Sequence, residues 1–226
     1  MRKNAYFDTT WDDIYARGEQ LNLYPYDRVV AFMMKHFGKS RKISTIKVLE
    51  VGCGAGNNLW FAAREGFAVT GLDASEDAIN FAKKRFAKDQ LKGKFVVGSF
   101  SELPFPEAGF DLVIDRAATT NVNLGIAKMV IDEVRRVLKP GGIFYSEVFS
   151  DMASSRGDTL SDGVLANIKG PYSGAGHIYF YSRSELQTLY QEGWKMRELS
   201  HYERKEYLEN GVEIYAQWVL AASKED

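Results

Sequence analysis

The chain has 226 residues, of which 45% are hydrophobic and 26% charged, and its formal net charge is −1. These values are typical of one soluble globular domain with a large core, and the near-neutral charge disfavours a polynucleotide substrate. The single cysteine, Cys53, excludes an internal disulfide and fits a reducing compartment. The N-terminus lacks the apolar segment of a signal peptide, and no apolar run approaches the roughly 20 residues that span a bilayer, so we expect a cytoplasmic protein.

Two helices are predicted at the start of the chain, over residues 8–18 and 26–37, and the second carries an apolar stripe at helical spacing. Strands and helices then alternate, which implies a parallel sheet with right-handed crossover connections. The strands are predicted at residues 47–52, 68–73, 94–98, 110–115 and 143–149, and the helices at residues 56–65, 75–88 and 125–138.

Residues 150–181 interrupt this alternation, because five glycines and one proline divide them. We interpret them as a loop or lid over the carboxyl ends of the strands. A capping box, residues 182–185, begins a helix that ends near residue 191. Two β-rich segments, residues 195–206 and 213–222, then flank Asn210 and Gly211, a dipeptide typical of a β-hairpin turn.

Residues 47–58 (KVLEVGCGAGNN) contain the most informative pattern: an aliphatic run, a carboxylate and three glycines at alternate positions. Strand, glycine turn and helix form the first unit of a nucleotide-binding α/β sheet. Glu50 would repel a pyrophosphate but attract an ammonium group, and Asn57 stands where the dinucleotide fingerprint has its third glycine. No triphosphate-binding P-loop motif occurs. The turn therefore favours a ligand with a ribose, an adenine and a cationic amino-acid tail, such as S-adenosylmethionine.

Four blocks of sequence support this interpretation, and they lie in residues 48–56, 69–75, 103–115 and 134–142. In order and in spacing they resemble the class I S-adenosylmethionine-dependent methyltransferases, with a type 11-like methyltransferase domain. The resemblance implies an α/β fold: a Rossmann-like, seven-stranded, mostly parallel sheet with helices on both faces and a C-terminal antiparallel hairpin. It also implies methyl transfer to an O, N or S atom of an acceptor, with S-adenosyl-L-homocysteine as the product.

The resemblance places the whole chain in one domain, residues 1–226, with four parts. Residues 1–40 would form N-terminal helices that cover the site, and residues 44–150 the cofactor-binding core. Residues 150–181 would form the inserted lid, and residues 182–226 the last helix and the terminal hairpin.

Individual cofactor contacts also follow from the resemblance. The carboxylate of Glu50 would face the methionine ammonium, and Asp73, at the end of the second strand, would accept hydrogen bonds from the ribose hydroxyls. Ala74 would flank the adenine. The chain departs from the family at Ser99 and Phe100, where an acidic residue often holds the adenine amino group. Ser99 would make a weaker hydrogen bond, and Phe100 would pack on the ring.

Three aromatic residues of the N-terminal part, Trp11, Tyr15 and Tyr24, are candidates to cover the cofactor. Aromatic faces attract a sulfonium as they attract ammonium ions, by roughly 0.5–2 kcal/mol. Packing of the helix onto the sheet is the competing interpretation for Trp11. The predicted cofactor-binding residues are Trp11, Tyr15, Tyr24, Glu50, Gly52, Cys53, Gly54, Gly56, Asn58, Asp73, Ala74, Ser75, Ser99, Phe100, Asp115 and Arg116.

The predicted catalytic residues are His177, Asp115 and Arg116. His177, in the lid, would remove a proton from the acceptor, and the competing interpretation is an ordinary loop histidine. Asp115 and Arg116 end the fourth strand, beside the methyl group in the resembled fold. Asp115 would contact the ammonium or act as a base, and Arg116 would orient an anionic acceptor; alternatively the two form a pair that holds the loop.

The identity of the acceptor is not encoded in these motifs. We expect a small molecule, with no nucleic-acid partner, no membrane and no metal, in a monomer or a homodimer. A protein or RNA methyltransferase would instead show an open basic cleft. An inactive module would bind the cofactor without turnover, and Glu50 and Asn57 argue against a nicotinamide oxidoreductase.

Overall fold

The computed structural model describes residues 10–40, 42–209 and 211–225. The helices are α1 Thr10–Ala16, α2 Asp27–Phe37, α3 Asn57–Arg64, α4 Glu76–Lys88, α5 Leu124–Val137 and α6 Arg183–Leu189. The strands are β1 Lys47–Val51, β2 Ala68–Asp73, β3 Lys94–Val97, β4 Phe110–Arg116, β5 Leu138–Phe149, β6 Arg156–Thr159, β7 Leu165–Lys169, β8 Trp194–Leu208 and β9 Gly211–Lys224. Within these ranges no helix combines the length and the apolar character needed to cross a bilayer.

Seven of the strands form one sheet in the order β3-β2-β1-β4-β5-β9-β8. The first five of these strands are parallel, and β9 and β8 run antiparallel to their neighbours. The predicted fold class is therefore confirmed. The strand order reverses between β1 and β4, and such a reversal opens a crevice at the carboxyl ends of the strands, where ligands bind in sheets of this kind.

Helices cover both faces of the sheet, so its central strands are apolar on both sides. Val48 packs in one apolar cluster with residues of α2, α3 and α4, whereas the next residue, Leu49, packs in the other cluster with residues of α5. This division follows from the two-residue period of a strand, which sends successive side chains to opposite faces.

Two helix starts agree with their sequence signals. The hydroxyl of Ser75 caps α4 by accepting a hydrogen bond from the Ala78 amide, and Ser182 and Glu185 form a complete capping box at the start of α6. These contacts satisfy amide groups that the first turn of a helix leaves without partners.

The structure corrects three predicted boundaries. Strand β5 begins at Leu138 rather than at residue 143, because Leu138 pairs with Phe110 and the ladder resumes after a bulge. Residues 150–181 are not only loop, since β6 and β7 form a separate two-stranded hairpin. Strands β8 and β9 are both longer than predicted, and Asn210 of the predicted turn lies outside the described residues.

Candidate active site

A cavity of about 350 Å³ lies at the carboxyl ends of β1, β2 and β4, and residues of α1 and of the segment before α2 border it. Many of the predicted site residues line this cavity. They are Trp11, Tyr15, Glu50, Gly52, Cys53, Gly54, Asn58, Asp73, Ala74, Phe100 and Arg116.

The turn between β1 and α3 requires its glycines. Gly52, Gly54 and Gly56 all have positive φ angles, of 64°, 48° and 70°. A Cβ atom on Gly52 would overlap the side chain of Ala118, and one on Gly54 would overlap the hydroxyl of Tyr15. The turn therefore presents bare backbone to the cavity, and a ligand can approach it closely.

Glu50 ends in the cavity with one carboxylate oxygen unused. Its Oε1 accepts a hydrogen bond of 2.7 Å from Asn58 Nδ2, while Oε2 is buried and has no partner among the described residues. Burial raises the pKa of Glu50 to about 8, and the hydrogen bond from Asn58 opposes that rise. A cation at Oε2 would supply the missing partner, so this position fits the ammonium group of an amino acid.

Asp73 holds the glycine turn from the end of β2. Its Oδ2 accepts a hydrogen bond from the Gly54 amide at 2.8 Å, and its Oδ1 accepts one from the Ser75 amide at 2.9 Å. Each carboxylate oxygen can accept more than one hydrogen bond. The carboxylate is thus fixed beside the cavity, in a position that fits a vicinal diol such as that of a ribose.

The segment that leads into α2 is fastened over the cavity by α3. Asn57 Nδ2 donates to the Tyr24 carbonyl at 2.8 Å, and Asn58 Oδ1 accepts from the Tyr26 amide at 3.0 Å. The Asn58 side chain therefore bridges Glu50 and this segment. Trp11 and Tyr15 of α1 add to the cover, with ring centroids 5.8 Å apart.

A group that we call the polar wall consists of Arg28, Arg116, Glu147 and Gln217. Glu147 is completely buried, and its Oε2 accepts a 2.8 Å hydrogen bond from Arg28 and lies 3.3 Å from Arg116 Nε. Arg28 also donates to the side chain of Gln217. Arg116 and Gln217 line the cavity, and the Arg116 guanidinium lies over the Tyr26 ring, 3.9 Å from its centroid.

Asp115 does not line the cavity, which contradicts its expected contact with the cofactor or acceptor. It is completely buried and accepts hydrogen bonds from the Ala118 amide at 2.8 Å, from the Ser146 hydroxyl at 3.0 Å and from the Thr119 hydroxyl. Burial raises the pKa of Asp115, and these hydrogen bonds oppose the rise. Asp115 therefore holds the loop after β4 through these contacts, and not through the pair with Arg116 that the alternative interpretation predicted, since Arg116 pairs with Glu147.

His177 is also absent from the lining residues, and its side chain is exposed. This exposure fits the competing interpretation, an ordinary loop histidine.

Four further predicted cofactor residues are absent from the lining. Tyr24 is 79% exposed. Gly56 and Ser75 are the residues that precede α3 and α4. The hydroxyl of Ser99 is hydrogen-bonded to that of Ser101 at 2.8 Å.

Sequence reasoning missed the residues on the other side of the cavity. Phe149 and Tyr172 line it as a stacked pair, with ring centroids 3.9 Å apart, and we call this pair the aromatic shelf. Glu147 and Gln217 had a detectable signal, because each is a long polar residue within a mostly apolar stretch of its strand.

Comparison with known proteins identifies the core of this site. A family model described as a methyltransferase domain matches residues 48–142. A sterol 24-C-methyltransferase of Gibberella zeae is 44% identical over 108 residues, which are 44% of this chain and 26% of that protein. A fatty-acid O-methyltransferase of Mycolicibacterium smegmatis is 39% identical over 100 residues, 43% of this chain and 35% of that protein. The alignments thus span only a quarter to about a third of these relatives.

The fold is shared along nearly the whole chain. A Burkholderia thailandensis 1,6-didemethyltoxoflavin N1-methyltransferase, solved with its substrate and S-adenosylhomocysteine, superposes with a TM-score of 0.73. The superposition covers 98% of this chain and 88% of that one, at 19% identity, so it establishes the fold alone. The family model spans the glycine turn, the second strand and the later blocks, so residues 48–142 contain a methyltransferase domain of the class I S-adenosylmethionine-dependent type.

Proposed function

We propose that the chain transfers a methyl group from S-adenosylmethionine to an O, N or S atom of a small-molecule acceptor. The observation that carries this proposal is the unpartnered, buried Oε2 of Glu50, which faces a cavity edged by bare glycine backbone and by the Asp73 carboxylate. The ammonium of S-adenosylmethionine matches Glu50, and its ribose matches Asp73. The flexible chain between these two groups matches the bare glycine backbone.

The residues would divide the work as follows. Glu50 would bind the methionine ammonium, Asp73 the ribose hydroxyls, and Phe100 the adenine face. When bound, the cofactor supplies an electrophilic methyl group whose leaving group is a neutral thioether. The protein then has to align the acceptor with that methyl group and exclude water, which the cover formed by Trp11 and Tyr15 supports.

Two observations support a small acceptor. The cavity, at about 350 Å³, is near the lower end of the range of about 300–1,000 Å³ typical of small-molecule sites, and it has to hold the cofactor as well, which leaves room for only a small acceptor. Two of the relatives are named for sterol and fatty-acid substrates.

Substitution of Asp73 by asparagine tests the assignment of the cofactor. The change removes the charge and one of the two acceptors that hold the turn, so we expect the affinity for S-adenosylhomocysteine to fall about tenfold or more. Isothermal titration calorimetry measures this affinity directly. Asp77→Asn, at an exposed acid in the first turn of α4, is the matched control and should bind as the wild type does.

These measurements distinguish the proposed function from its alternatives. Wild-type binding in the micromolar range or tighter, weakened only in Asp73→Asn, would support the cofactor assignment and justify a screen of acceptors with labelled cofactor. A folded wild-type protein that binds no S-adenosylhomocysteine would contradict the proposed function. Binding without transfer to any acceptor would favour the inactive module.

A further inference from the structure

Arg116 is a cation of the cavity with unused hydrogen-bonding capacity. Its side chain is 16% exposed and lines the cavity. Among the described residues the guanidinium has one ion-pair partner, Glu147, and no hydrogen bond, and the Tyr26 ring covers one of its faces. A guanidinium offers five donors in a planar fork that matches a carboxylate, so the edge of Arg116 is available to an anionic ligand.

The polar wall carries one uncompensated positive charge. It contains two guanidinium groups, those of Arg28 and Arg116, and one carboxylate, that of Glu147. Glu147 is engaged by Arg28 and also accepts a 2.7 Å hydrogen bond from the Tyr145 hydroxyl. A buried carboxylate shared in this way cannot neutralise both arginines. Glu50 does not supply the missing charge, because burial raises its pKa to about 8 and the cofactor's ammonium would pair with it in the proposed complex. An anion in the cavity would complete the balance.

Part of the cavity lining is apolar. The aromatic shelf, Phe149 and Tyr172, lines the same cavity as Arg116, together with Pro171 and Ala175. Arg116 is near enough to Glu50 and Tyr172 for its charge to lower the pKa of each against the larger upward effect of burial. A ligand that binds Arg116 through an anionic end would therefore have an apolar surface within reach of its other end.

We propose that the methyl acceptor is a small organic acid, whose carboxylate binds Arg116 and whose apolar body packs on the aromatic shelf. This inference rests on the proposed function and narrows it to a class of substrate. The cofactor's own carboxylate has the same chemistry and is the other source of such a ligand. We favour the acceptor because the polar wall continues from Arg116 through Arg28 to Gln217, in the direction of β9 and away from the glycine turn.

The test uses acids and their uncharged amides as probes. The protein is saturated with S-adenosylhomocysteine and titrated with octanoate, octanamide, benzoate and benzamide. We expect at least one acid to bind about tenfold or more tightly than its amide, and Arg116→Gln to abolish that preference. Arg116→Lys should restore part of it, because the charge remains while the planar fork is lost. Arg64→Gln removes an exposed arginine that lies over Trp60 and serves as the matched control.

The affinity for S-adenosylhomocysteine, measured in the same variants, distinguishes the two sources of carboxylate. It should stay within a few-fold of the wild-type value in Arg116→Gln, because Arg116 would act on the cofactor only by lowering the pKa of Glu50. Retained binding also shows that the variant is folded. A tenfold loss of that affinity would assign Arg116 to the cofactor and overturn the inference.

Equal binding of acids and amides, or no binding of either acid, would also overturn the inference while leaving the cofactor assignment intact. A wild-type protein that fails to bind S-adenosylhomocysteine would overturn the proposed function and this inference with it.

Discussion

Glu50→Gln is expected to weaken the binding of S-adenosylhomocysteine by about ten- to a hundredfold while making the protein more stable at neutral pH. Glutamine keeps an oxygen that can accept the hydrogen bond from Asn58, but it cannot form an ion pair with the ligand's ammonium. Charged hydrogen bonds contribute about 1.5–3 kcal/mol, which corresponds to that loss of affinity. Calorimetric titration at pH 7 measures the binding.

The gain in stability follows from the direction of the pKa change. The pKa of Glu50 in the folded protein is raised to about 8 from an ordinary value of 4.5, so the folded state binds the proton more tightly than the unfolded state does. The free energy of unfolding of the wild type must then fall as the pH rises from about 4.5 to 8. Glutamine does not titrate, so the stability of the variant does not fall in this way. We expect its free energy of unfolding at pH 7 to exceed that of the wild type by about 1–3 kcal/mol.

Urea unfolding at pH 5, 7 and 8.5 checks this prediction. The difference in stability between Glu50→Gln and the wild type should grow with pH across that range. Glu65→Gln, at an exposed position after α3, should show no such trend. A variant that is less stable than the wild type at pH 8.5 would show that Glu50 is paired in the free protein and would refute this account of it.

Gly52→Ala is expected to abolish measurable cofactor binding and to lower the free energy of unfolding by about 2–4 kcal/mol. Two separate effects would destabilise the variant. The φ angle of 64° disfavours any residue with a side chain, and the new methyl group would overlap Ala118 on the loop after β4. Relief of that overlap would move the turn or the loop, and both border the cavity.

Gly141→Ala provides the control, because Gly141 has a similar φ of 70° and no atom within 4 Å of the position of a Cβ. It should lose only about 1 kcal/mol and bind S-adenosylhomocysteine normally. Comparison of the two variants by chemical denaturation and calorimetry separates the effect of the positive φ angle from the effect of the contact with Ala118. Equal effects of the two substitutions would mean that the contact with Ala118 is unimportant.

The cofactor half of the site, which consists of the glycine turn, Glu50 and Asp73, could be predicted because its signals are local in the sequence. Residues 47–58 contain a strand, a turn and a helix start, and the positive φ angles of the turn explain its glycines. Asp73 was identifiable because it ends a strand adjacent to β1, and the carboxyl ends of parallel strands meet at one edge. The cap at Ser75 and the capping box at Ser182 likewise depend on residues only three positions apart.

The other half could not be predicted because it is assembled from distant parts of the chain. Arg28 and Gln217 are 189 positions apart, and only the pairing of β9 with β5 brings Gln217 into the polar wall. Asp115 was misassigned because a carboxylate at a strand end is the same in sequence whether it faces a ligand or, as here, a set of backbone and hydroxyl donors. The hairpin of β6 and β7 was missed because its strands are only four and five residues long and lie apart from the main sheet.

The two halves of the cavity also differ in what must be folded before they exist. The glycine turn, Glu50 and Asp73 lie within 24 residues of one another in the chain, so a single strand-helix-strand unit nearly defines that half. The polar wall requires α2, the end of β5 and the C-terminal hairpin to be docked together. Closing the long loops between these elements costs entropy, so these contacts should form after the local ones during folding. The cofactor half of the cavity should therefore take shape first on refolding, and the polar wall only when the C-terminal hairpin docks.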